Sequence, residues 1–246
     1  MITIENYSVY SSDTSKQLVN QLNLTLKKGE FHLILGPNGA GKSSLLQSIF
    51  NLSQYKTEGT IRLNKTPITG VSTDEISKMG LFLGFQTPVE VPGLKNIDFL
   101  RLAYNKRQIA DEQLDPWSFA DLLETFVTKL RLPQDTPQRG LNEGFSGGEK
   151  RKFEILQMLL LEPEYLFLDE VDSGLDIDAQ QQIFNAINEY YTEKKPAILL
   201  ISHSTKLLEY INPTHVHLMK DGELTQSGGV ELANQIMTQG YASTNI

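Results

Sequence analysis

There is no cysteine among the 246 residues. That excludes a disulfide framework, a thiolate metal site and a cysteine nucleophile. Basic residues are in the minority: 22 Lys and Arg stand against 30 Asp and Glu, for a net charge of −8. Gripping phosphate backbones needs clustered Lys and Arg, and no such cluster occurs, so nucleic acid is not an expected partner. Long apolar runs are missing too. Residues 158–161 and 197–201 are the longest, far short of the ~20 that span a bilayer. The opening Met1-Ile2-Thr3-Ile4-Glu5-Asn6 has neither the basic start nor the apolar stretch of a signal peptide. The expectation is a cytoplasmic protein that does not itself insert into a membrane. No internal repeat or low-complexity linker interrupts the chain, which is long enough to bury a full core.

What is present reads as alternating strands and helices. Ile2 and Ile4, then Leu22, Leu24 and Leu26, alternate as strands do, with a turn at Lys28-Gly29. Residues 31–35 read as a buried strand, 43–51 as a helix, and 60–63 and 80–85 as further strands. Residues 95–131 carry helical spacing (Ile97, Leu100, Leu102; Phe119, Leu122, Leu123, Phe126, Leu130) and no strand signal. This predicts an inserted helical subdomain, about 95–163, within a single domain whose remainder is 1–94 and 164–246. A helix over 146–161 precedes a strand over 165–168, a helix over 176–192 precedes a strand over 197–201, and two short strands and a helix close the chain. The expected fold class is α/β with a largely parallel sheet.

The segment Gly36-Pro37-Asn38-Gly39-Ala40-Gly41-Lys42-Ser43 joins a strand to a helix and fits the phosphate-binding P-loop pattern. Its glycines let the backbone curl so that successive N–H groups face one concavity, and the helix N-terminus adds its dipole. Lys42 is placed to reach β and γ phosphates, and the Ser43 hydroxyl to ligate Mg2+. A second acidic element, Tyr165-Leu166-Phe167-Leu168-Asp169-Glu170, is an apolar strand ending in two carboxylates. Beside a P-loop, Asp169 is expected to hold the metal and Glu170 to orient and deprotonate an attacking water.

The stretch Phe145-Ser146-Gly147-Gly148-Glu149 is the third element. Ser146 and Glu149 have the spacing of a capping box, yet a capping box needs no glycines inside it, and glycine costs helix stability. Lys42 and Ser146 lie 104 positions apart, so the chain carries two phosphate-binding devices that one nucleotide in one lobe cannot readily share.

This segment resembles the signature motif LSGGQ of the ABC ATPases, with Phe145 for Leu and Glu149 for Gln. The resemblance implies an ABC-type P-loop NTPase with a RecA-like core, an antiparallel N-terminal β subdomain and the helical insertion. It implies ATP and Mg2+ as cofactors and a transient head-to-tail homodimer. In that dimer Ser146, Gly147, Gly148 and Glu149 of one subunit face the ATP held by residues Gly36 to Ser43, and by Ser44, of the other. Ser173 and Asp176 match the D-loop that crosses the interface, and His203 matches the switch histidine that contacts the γ phosphate. Gln86 matches the Q-loop glutamine, a third Mg2+ contact beside Ser43 and Asp169, placed ahead of a turn that Pro88 and Pro92 stiffen. Tyr7 and Tyr10 are both near the expected position of an adenine-stacking aromatic, and neither falls securely in register. His215 and His217 read as an ordinary strand pair, since no carboxylate follows at ligand spacing.

Across nearly the whole chain the sequence is similar to the SufC family, the ATPases of the SUF iron–sulfur cluster assembly system. The segments GFQTPVEVPG, LEPEYLFLDEVDSGLDIDA and the late Gly240-Tyr241 carry that likeness. It implies SufB and SufD as partners. The ATP-binding subunit of a membrane transporter is the alternative, because the generic motifs are shared.

Overall fold

The computed structural model describes residues 1–85, 89–202 and 206–241. The first strands, β1 (Ile2–Ser11) and β2 (Gln17–Leu26), pair antiparallel, and β4 (Tyr55–Leu63) and β5 (Thr66–Pro67) complete a sheet of order β2-β1-β4-β5. Between them run β3 (Phe31–Leu35) and helix α1 (Lys42–Ile49). Strands β6 (Leu81–Gly84), β9 (Tyr165–Asp169), β10 (Ala197–Ile201), β11 (His215–Lys220) and β12 (Glu223–Gly228) join β3 in a six-stranded sheet of order β12-β11-β3-β10-β9-β6. Only the β11–β12 pairing is antiparallel. The fold is thus α/β with a mostly parallel sheet, as expected.

Every residue of β3, β9 and β10 is buried, as parallel strands covered on both faces require. The pleat then sorts their side chains between two cores. Leu33, Leu166, Leu168, Ile198 and Leu200 face one core. It is shared with α5 (Gly147–Leu161), α6 (Ile177–Lys194) and α8 (Val230–Gln239), and with α3 (Asn96–Asn105) and α4 (Pro116–Lys129). Ile34, Phe167, Leu199 and Ile201 face the other, which packs on α1 and the antiparallel sheet.

Three features depart from the sequence reading. Strand β4 begins at Tyr55, five residues earlier than expected. Its first half is polar and half exposed, held by pairing with β1 rather than by burial. A two-stranded ribbon, β7 (Val91–Lys95) with β8 (Gly140–Leu141), brackets the helices α3 and α4. The short helices α2 (Thr73–Lys78) and α7 (Leu207–Tyr210) carry too little apolar pattern to be read. Among the described residues no helix is long and apolar enough to cross a membrane.

Candidate nucleotide site

The loop from β3 to α1 is shaped by contacts that admit only glycine at two places. Gly41 has φ +99°, and a Cβ there would lie 2.2 Å from the Leu18 carbonyl oxygen; at Gly36 it would lie 2.1 Å from that of Met219. The helix starts with no side-chain cap, so its first N–H groups open into a cavity of ≈ 410 Å³. Asn38, Gly39, Ala40, Gly41, Lys42, Ser43 and Ser44 line it from the loop, with Glu170 opposite and Lys16 and Leu18 at one side. Gly36 and Pro37 lie behind, their carbonyls each accepting from Lys42 Nζ at 2.9 Å. Lys42 is only 4% exposed. Burial lowers the pKa of its ammonium group, while the carboxylates of Glu170 and Asp169 act in the opposite direction.

The Ser43 hydroxyl donates to Asp169 Oδ1 at 3.0 Å. Asp169 is fully buried at the end of β9, and its Oδ2 has no hydrogen-bond partner among the described residues. Burial raises its carboxyl pKa and the neighbouring Glu170 adds to the rise, against the Ser43 hydroxyl and the Gln47 side chain. A hydroxyl, a buried carboxylate with a spare oxygen and a ring of loop N–H groups form a hard-oxygen donor set suited to Mg2+ with a polyphosphate. Glu170 takes left-handed backbone geometry, φ +49°, with its N–H bonded to the Ile201 carbonyl at 3.0 Å. Such strain costs of order 1–3 kcal/mol and survives only where its surroundings enforce it.

Ser146 and Glu149 do form a capping box: the Ser146 side chain accepts from the Glu149 N–H at 3.2 Å, and Glu149 Oε2 accepts from the Ser146 N–H at 2.7 Å. Glu149 therefore folds back onto its own helix, and the Ser146 backbone N–H holds its pKa below the ordinary value. A Cβ on Gly147 would meet nothing within 4 Å, and on Gly148 only Leu175 Cδ2 at 3.8 Å. Asp176, expected in the D-loop, is the N-cap of α6, accepting from the Ala179 N–H at 2.7 Å. Ser173 is exposed in the preceding turn, its N–H bonded to the Glu170 carbonyl at 3.1 Å. Gln86 and His203 lie outside the described residues.

Sequence reasoning missed several neighbours of the site. Lys16 and Leu18 reach it from the start of β2, the edge strand of the antiparallel sheet nearest the loop, and no local pattern marks them. Tyr7 is wholly buried, and Tyr10 points its hydroxyl to Glu58 at 3.3 Å, so neither lines the cavity. Arg151 and Glu154 form a buried pair at 3.2 Å one to two turns into α5. The pair grips both sides of the Phe85 backbone: its N–H donates to Glu154 Oε1 at 2.6 Å, and its carbonyl accepts from Arg151 Nη1. Burial pushes the Glu154 carboxyl up to about 7 against the pull of Arg151. The residue just before Gln86 is thereby tied to the helix that starts at Ser146.

A model of the family "ABC transporter" matches residues 19–173, a span that contains both the phosphate loop and the capped glycine turn. The chain belongs to the ABC transporter ATPase family. ABC cassettes use ATP with Mg2+, in keeping with the donor set at Ser43 and Asp169. One curated relative, "Probable ATP-dependent transporter ycf16" of Antithamnion sp., is 44% identical and aligns over 100% of this chain and 98% of its own length. "Probable ATP-dependent transporter slr0075" of Synechocystis sp. is 41% identical over 98% of this chain and 94% of its own. Among solved structures, the ATP-binding cassette MJ0796, a dimer in a post-hydrolysis state bound to ADP and Pi, superposes with a TM-score of 0.80. It is 20% identical and covers 94% of this chain and 99% of that one, a likeness that speaks for the cassette fold.

Proposed function

We propose that this ABC cassette is an Mg2+-dependent ATPase that works as a head-to-tail pair and drives conformational change in a SufB–SufC–SufD complex during iron–sulfur cluster assembly. The observation that carries the ATPase reading is the Ser43–Asp169 pair with its unpartnered buried oxygen, beside a strained Glu170 on the wall of the loop cavity. Ser43 and Asp169 would hold Mg2+, which when bound would neutralise charge on the phosphates. Lys42 exchanges its loop carbonyls for phosphate oxygens, and Glu170 accepts the proton of the attacking water. Gly147 and Gly148, which nothing in their own chain crowds, leave room for the nucleotide of a second subunit, with Ser146 presenting the helix N-terminus. Glu149 acts as a cap rather than a phosphate ligand, Ser173 lies at the subunit contact, and His203 faces the γ phosphate.

Gln86 reports nucleotide state to the partner, and the Arg151–Glu154 grip on Phe85 couples it to the signature helix. The helical unit of about residues 95–163 moves with that helix. Val89, Val91 and Leu94, exposed beside it at 70%, 39% and 37%, supply an apolar face for a cytoplasmic partner. The SUF reading rests on the TPVEVPG segment, the DSGLDIDA run and the near-complete alignment with the ycf16 relatives. The names of those relatives, ATP-dependent transporters, favour a second reading, the ATP-binding subunit of a membrane transporter.

Affinity capture of the tagged protein from soluble and membrane fractions of its native cells separates the two. Recovery of SufB and SufD from the soluble fraction supports the first reading, and recovery of a polytopic permease overturns it while leaving the ATPase intact. Glu170→Gln is expected to keep ATP binding and abolish turnover; normal turnover would remove Glu170 from the role of base.

A further inference from the structure

Three of the four histidines of the chain take no part in the nucleotide site and gather at the other end of β3. His32 on β3 and His215 on β11 are direct partners across parallel strands, so their rings share one sheet face and stack with centroids 4.3 Å apart. His217, two residues on, brings Nε2 to 3.0 Å from His32 Nδ1, and its Nδ1 lies 2.8 Å from Ser227 Oγ on β12. Glu30 precedes β3 and places Oε2 3.3 Å from His32 Nε2. One ligand atom from each of Glu30, His32 and His215 lies within 4.8 Å of the other two.

We propose that Glu30, His32 and His215 bind a divalent transition-metal ion of the Zn2+ class, with His217 as the positioning residue behind His32. Two imidazoles and a carboxylate suit such an ion, whose ligands sit at about 2.0–2.2 Å and hence roughly 3.4 Å from one another. Glu30 Oε2 and His32 Nε2 already lie at that spacing, 3.3 Å apart, so the closure that remains falls to His215, which is partly exposed, while the buried His32 ring stays where His217 holds it. A ligating imidazole is oriented by the partner of its other nitrogen, and the chain from His32 through His217 to Ser227 supplies that partner. Packing alone does not call for histidine here, since the other four residues of β3 are buried apolar side chains. The charged group that competes is Lys27, whose Nζ lies 3.7 Å from Glu30 Oε1. The phosphate loop leaves the opposite end of β3, so this site is separate from Ser43 and Asp169.

Zn2+ titration of the full chain by calorimetry at neutral pH, without nucleotide, tests the assignment. A single Zn2+ per chain is expected, weakened at least about 10-fold by His215→Ala and by Glu30→Gln, both surface changes. Binding is expected to be unchanged in Asp169→Asn. With Co2+ as the probe, His217→Gln should shift the visible absorption of the bound ion, which a purely structural role for His217 would not do. Zn2+ binding that survives both His215→Ala and Glu30→Gln at unchanged affinity, binding that is lost in Asp169→Asn, or wild-type affinity weaker than millimolar overturns the proposal.

Discussion

The two glycine-rich helix starts of this chain look alike in sequence and differ in what demands the glycines. At the phosphate loop the demand is internal: Gly36 and Gly41 pass so close to the carbonyls of Met219 and Leu18 that no Cβ fits. The helix that follows has no cap, and its lysine is sunk into the loop. At the signature turn the demand has no internal source. Gly147 and Gly148 border open space, although their helix is already capped by Ser146 and Glu149. A glycine that its own chain does not require, at a helix N-terminus where it costs stability, leaves room for a ligand or partner. One site is built by the subunit; under the proposed function the other is completed from outside it.

Substitutions probe that contrast, from the largest effect downward. Lys42→Ala should reduce steady-state ATP turnover by about 10²–10³-fold, since a charged donor to the reacting phosphates is lost; near-wild-type turnover would deny the loop its catalytic part. Gly41→Ala should cost several kcal/mol in urea unfolding, because strain at φ +99° adds to a backbone clash. Gly148→Ala should leave unfolding within about 0.5–1 kcal/mol of wild type, or raise it, while lowering turnover and abolishing ATP-induced dimerisation on a sizing column. If Gly148→Ala destabilised the chain as much as Gly41→Ala, the contrast would be gone. Ser146→Ala should cost about 1 kcal/mol through the lost cap. The Glu149 half of the box is pH-dependent. Its folded pKa lies below the ordinary glutamate value, so its contribution is present above that value and is lost as pH falls through the folded one. The stability gap between wild type and Glu149→Gln should therefore close in acid.

Features carried by contiguous residues were legible in the sequence. An apolar run into a glycine loop and a lysine, and another into two carboxylates, specify a strand, a turn and a donor type together, and the capping box needs only four consecutive residues. Features that depend on pairing were not. The polar half of β4 and the ribbon of β7 with β8 exist because another strand offers its edge, and Lys16 and Leu18 join the loop cavity only because the antiparallel sheet folds over it. The Arg151–Glu154 pair was hidden for a related reason. In a helix start rich in charge, nothing local marks two charged residues as the ones that turn inward, and the Phe85 backbone they bind lies more than sixty residues away.

The histidines show the division most plainly. Along β11 alone, His215 and His217 lack a carboxylate at ligand spacing and read as strand residues. Parallel pairing with β3 brings His32 and Glu30 to them from some 185 residues earlier. The sequence by itself determined the family, the α/β class and most of the groups that line the loop cavity, because those are written in short runs whose backbone geometry is local. The tertiary structure alone decided which charged side chains are buried together, which glycines are sterically forced and which histidines meet, because these depend on distances between strands that no spacing along the chain encodes.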